Sequence, residues 1–201
     1  MTRHLYLVGA AGLLSAASVL AGDAAPATPA VCLAAGDGAL EARVRGAIDA
    51  DVHWSNAQMT CEGGMRPNNK GVRVSIAGPL MKSAEGKDRD ADRLRFVFGI
   101  TLRDTAAGVA QALPTNLTVI VEGRKQLFAT LGDDKCAVEQ FEVTPLLAGG
   151  GQSSHSSHGP ARQRIHARGY CTGPATDLHG TRRVLVSTFE FTSQINSGDD
   201  P

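Results

Sequence analysis

The sequence predicts an all-β fold: an antiparallel β-sandwich of Greek-key or jelly-roll type with about eight strands, the alternative being a small closed β-barrel. Two observations carry this. Apolar and polar residues alternate in steps of two through most of the chain, the spacing of a strand with one buried face. No segment sustains a helical period, so no helices are available to cover the sheet, and strands must pack face to face or close on themselves.

The first element is an export signal at residues 1–21. Arg3 and His4 precede an apolar run from Leu5 to Leu20, and Val19 and Ala21 suit a cleavage site before Gly22. The run is too rich in Gly, Ala and Ser for a permanent membrane span. Residues 22–36 read as a flexible leader, 37–196 as a single β-domain, and 197–201 as a flexible tail.

Within the domain, every even position from Leu40 to Trp54 is apolar or Gly, which reads as one long strand with a bend at Gly46-Ala47. Strands follow at Val72–Leu80, Leu94–Leu102, Leu117–Val121, Gln126–Leu131, Cys136–Leu146, Ile165–Cys171 and Val184–Ile195. Glu122-Gly123-Arg124-Lys125 and Gly132-Asp133-Asp134-Lys135 read as hairpin connections. The densely charged stretch Lys82–Arg93 reads as an exposed loop. Residues 148–160 form a low-complexity Gly/Ser/His loop inside the one domain.

Export places the four cysteines, Cys32, Cys61, Cys136 and Cys171, in an oxidising compartment as disulfide partners. No close pair of the zinc-ribbon or thioredoxin type is present. Of the three connectivities, Cys32–Cys61 and Cys136–Cys171 are the local closures, each contributing about 3 to 4 kcal/mol by loop entropy.

Four groups of side chains invite a chemical reading. His155 and His158 have H-x-x-H spacing in the Gly/Ser loop and suit weak capture of Zn²⁺, Cu²⁺ or Ni²⁺. Asp133 and Asp134 offer two carboxylates to calcium or to a basic partner, although Asp in turns ordinarily bonds its own backbone. Asp88, Asp90 and Asp92 start like a calcium loop, but Arg93 replaces the turn glycine and Gly99 the bidentate Glu. Asp49, Asp51 and His53 project from one strand face; Glu41, Arg43 and Arg45 share it, as on an ordinary wet sheet surface. Asn116-Leu117-Thr118 matches a glycan acceptor.

No nucleophile elbow, phosphate loop or dinucleotide fingerprint occurs, so no catalytic residue is assigned. The 20 basic and 20 acidic side chains balance, which gives nucleic acid no basic field to bind. The chain after residue 21 has no stretch long enough to span a membrane as a helix. No cofactor is implied. The sequence therefore points to a periplasmic or secreted, non-enzymatic binding protein whose partner is a protein or an extracellular ligand. The alternatives are a hydrolase assembled from strand carboxylates and histidine, and a carrier with an apolar barrel lumen.

Overall fold

A computed structural model describes residues 32–67, 70–80, 92–102, 112–146 and 161–197. They form eleven strands: β1 (Ala39–Gly46), β2 (Ala50–Ser55), β3 (Thr60–Met65), β4 (Gly71–Pro79), β5 (Arg93–Thr101), β6 (Leu113–Val121), β7 (Gln126–Ala129), β8 (Cys136–Pro145), β9 (Ala161–Cys171), β10 (Ala175–Asp177) and β11 (Arg183–Ser197). The fold is all-β and almost wholly antiparallel.

The strands make two walls. One runs β3-β4-β5-β6-β7; the other runs β2-β1-β11-β9-β8. Strand pairings join them on two sides. On one side β8 pairs with the start of β6, and β10 bridges β7 to β11. On the other, β3 meets β11 in a single parallel pairing, Gly64 with Asn196. The sheet thus has the facing layers of a sandwich and the continuous circuit of a barrel.

Aromatic rings fill the space between the walls. Trp54 packs against Phe96 at 5.8 Å between centroids, and Phe98 reaches across to Phe189 and Phe191 at 4.8 and 4.7 Å. All are buried. The Trp54 ring lies over Gly78, where a side chain would collide with it, and its Nε1 donates to the Pro79 carbonyl.

The strand count exceeds the expected eight for three local reasons. The long first strand is a hairpin, β1–β2, reversing after Gly46, whose positive φ of 112° suits glycine. Strand β3 lies between the first two expected strands; a side chain on Gly63 would strike the backbone of Arg73 and Gln194. Strand β10 is only three residues long.

Gly132–Lys135 is also not a hairpin. β7 and β8 both lie along one edge of β6, opposite Thr118–Val121 and Leu113–Thr115. The segment interrupts a single strand path and carries it from one wall to the other. β9 and β10 behave alike along β11, breaking at residues 172–174. The Cys136–Cys171 disulfide joins directly paired residues at this double break.

The second disulfide, Cys32–Cys61, fixes the expected leader from residue 32 onward. Cys32 and Leu33 are fully buried, and Asn56 holds the segment by accepting from the Leu33 and Gly38 amides and donating to the Leu33 carbonyl. Residues 32–36, expected in the leader, are therefore held against the β-domain. Residues 1–31, the Gly/Ser/His loop and the tail beyond Ser197 lie outside the described residues. Among the described residues, no helix is long and apolar enough to cross a membrane.

Candidate functional site

Alternation along β2, β1, β11, β9 and β8 turns one set of side chains into the core and the other outward. Strand register then sorts the outward set into rows. One row runs His53–Glu41–Glu190–Arg168–Gln140 across five strands. The next begins Asp51–Arg43–Thr188. These rows border a cleft of about 430 Å³, with Tyr170 and Glu139 on its β9–β8 side.

The register among the described strand pairs shifts twice, and both shifts border this cleft. One leaves Ser187 as an extra residue of β11, since Arg43 faces Thr188 but Val44 faces Val186. The other leaves Glu139 extra in β8, since Val138 faces Gly169 but Gln140 faces Arg168. A bulge re-aims side chains and bends its strand. At Gly169 a side chain would strike the Ala137 carbonyl and the Phe189 ring, so glycine permits the close approach.

The cleft is open to solvent and mixed in charge. Glu41 and His53 approach to 3.9 Å, with side chains 69% and 70% exposed. His166 lies 3.6 Å from Glu190 and shares a 3.2 Å hydrogen bond between Nδ1 and Thr192 Oγ1. Asp51 is bound by Arg45 at 2.8 Å and lies 3.7 Å from Arg43. Glu139 and Arg168 make no ion pair or hydrogen bond among the described residues.

No family model, curated protein or solved structure matches the chain. The site rests on its own geometry.

The structure brings together part of what the sequence singled out. Asp51, His53, Glu41 and Arg43 share the cleft, but by cross-strand pairing within a hairpin. Asp49 bonds Arg45 at 3.3 Å away from the cleft lining. Tyr170, Arg168, Glu139 and Glu190 were missed. Their outward direction is readable from flanking core residues, whereas their meeting with β1 and β2 depends on the register of distant strands.

Other candidates lie elsewhere. Asp133 Oδ2 accepts from Thr101 Oγ1 at 3.4 Å, and Asp134 pairs with Lys135 at 3.1 Å. Among the described residues, no group of three or more His, Cys, Asp or Glu is arranged to hold a metal. His155, His158, Asp88 and Asp90 lie outside the described residues; Asp92 is largely buried and paired with Arg124 at 2.7 Å. Asn116 is in the middle of β6, opposite Gly99, rather than in the surface loop a glycan acceptor favours.

Proposed function

We propose that the chain is an exported, non-enzymatic binding protein that recognises its ligand in the cleft of the β2-β1-β11-β9-β8 wall. The observation that carries this is the coincidence of both register shifts with the cleft. An irregularity that costs ladder hydrogen bonds is most readily retained where it re-aims side chains toward a ligand.

Two further features support binding over catalysis. The Glu41–His53 pair is about two-thirds exposed, whereas acid–base chemistry gains from desolvation. All four cysteines are in disulfides, which leaves no thiol nucleophile. Against a carrier, the aromatic rings occupy the space that an apolar lumen would need. Two disulfides suit an oxidising compartment, and together with the apolar N-terminal run they support a periplasmic or secreted location. The ligand would be met there, as a soluble molecule or as part of an envelope protein.

A thermal-shift screen of extracellular and envelope compounds tests the reading, run on the unaltered protein beside Thr188→Trp. Thr188 is exposed at the cleft, so an indole there fills space without touching the core. Ligands should stabilise the unaltered protein and lose this effect in Thr188→Trp. Hits insensitive to the substitution, or turnover of a hit into product, would overturn the proposal.

A further inference from the structure

Resting on that binding role, we infer that the cleft takes a compact zwitterion, an ammonium and a carboxylate on one short carbon chain, as in a free amino acid or dipeptide. The row Glu41–Glu190–Arg168 supplies the pattern. Glu41 and Glu190 are directly opposed across β1 and β11. Like charges so placed oppose each other and weaken the pairing. Each carboxylate has a histidine beside it, at 3.9 and 3.6 Å, but neither has a lysine or arginine within ion-pair distance among the described residues. An ammonium lying between them would relieve the repulsion.

Arg168 is the next residue in the row, directly opposite Glu190 on β9. Its guanidinium has no partner among the described residues, although Glu190 faces it and Glu139 and Gln140 lie on the adjoining strand. A guanidinium presents a planar fork that a carboxylate fills with two parallel hydrogen bonds. Neighbouring strands are separated by about 4.8 Å, so long side chains on adjacent strands can converge on the two ends of one short molecule. The volume, about 430 Å³, falls within the range of small-molecule sites.

The charge balance disfavours the simpler alternatives. Of the four carboxylates that border the cleft, Asp51 is held by Arg45 and Arg43, which leaves Glu41, Glu139 and Glu190 against the guanidinium of Arg168. A plain anion meets repulsion from the majority. A plain cation leaves Arg168 unanswered. A molecule carrying both charges satisfies each end.

The test is isothermal titration of the disulfide-intact protein with alanine, leucine and glycylglycine, each beside its N-acetylated and its C-amidated form. Amide chemical shifts are followed in parallel. At least one zwitterion should move the amides of Arg168, Gly169 and Glu190, and blocking either end should weaken binding about tenfold or more, as expected for loss of a charge-assisted hydrogen bond. Arg168→Gln should remove the preference for a free carboxylate, and Glu190→Gln the preference for a free amine. Arg124→Gln, on the other wall, should change neither. Equal binding of a blocked form, or no movement of cleft amides by any zwitterion, would overturn the inference. If the zwitterions fail while Thr188→Trp still abolishes the effect of screen hits, the ligand class is wrong and the binding role stands. If both fail, the binding role falls as well.

Discussion

Replacing Asn56 with Ala should destabilise the domain by an amount that depends on whether the Cys32–Cys61 disulfide is present. Asn56 is buried and satisfies three backbone groups: the Leu33 and Gly38 amides, at 2.8 and 3.2 Å, and the Leu33 carbonyl, at 2.9 Å. With the disulfide closed, residues 32–38 cannot leave, and truncation strands those groups. At roughly 1 kcal/mol or more for each unpaired group, the loss is about 3 kcal/mol. The disulfide closes 29 residues, for which chain entropy gives about 3.5 kcal/mol.

The two contributions are not independent, because both restrain one segment. Without the disulfide the segment can fray, and the groups freed by Asn56→Ala recover water. In the Cys32→Ala/Cys61→Ala background, Asn56→Ala should therefore cost less than about 1 kcal/mol, a coupling of about 2 kcal/mol. Urea unfolding measures each corner of the cycle, with Trp54, the chain's one tryptophan, as the fluorescent probe. For an m-value of about 2 kcal/mol/M, the midpoint should fall by roughly 1.5 M with the disulfide present and by under 0.5 M without it. Equal shifts in the two backgrounds would refute the idea that the segment is held as one unit.

Ser193→Ala should stabilise the domain by about 0.5–1.5 kcal/mol in the same assay, because the Ser193 hydroxyl is buried in β11 without a hydrogen-bond partner among the described residues. Gly78→Ala should cost roughly 1–3 kcal/mol and red-shift Trp54 emission, since the added carbon would come within 2.5 Å of the indole Cδ2. Asp177 carries the pH dependence of the β10–β11 turn. Local desolvation pushes its pKa up, but the Arg182 and Thr181 amides, the Thr181 hydroxyl and nearby His179 together hold it below the usual value. A lowered folded-state pKa contributes stability that is present above the unfolded-state value, near 3.8, and lost as pH falls through the folded one. Asp177→Asn should therefore flatten the acid limb of the Tm–pH curve below about pH 4 and leave its slope at neutral pH unchanged.

The sequence made the all-β class and the buried faces legible because alternation reports directly on which side of a strand meets the core. It also concealed a reversal. In the β1–β2 hairpin, Val44 faces Ala50 and Leu40 faces Trp54, so even positions face even positions. The alternation consequently passes through the turn without a change of parity, and a hairpin is indistinguishable from one long strand. β3 was hidden by the opposite effect, since Thr60–Met65 carries two glycines that favour turns, of which Gly63 is required there by close packing against β11 and β4. For the site, Glu190 was readable as outward-facing between Phe189 and Phe191. Its opposition to Glu41, more than a hundred residues earlier, is a fact of register between distant strands.

Register also connects the disulfide to the cleft. Cys136 and Cys171 are paired directly at the start of the β8–β9 ladder, and the extra residue Glu139 follows three positions later. A strand that slips by one residue turns its whole outward set inward. At this ladder a slip would remove the bulge and exchange the faces of β8 residues around Glu139. The covalent bond opposes this at the place where both strand paths break to change walls. The Gly169 backbone, tight against Ala137, then places Arg168 and Tyr170 on the cleft side of the wall. Oxidation thus does more than shorten the unfolded chain: it fixes the register on which one side of the cleft depends.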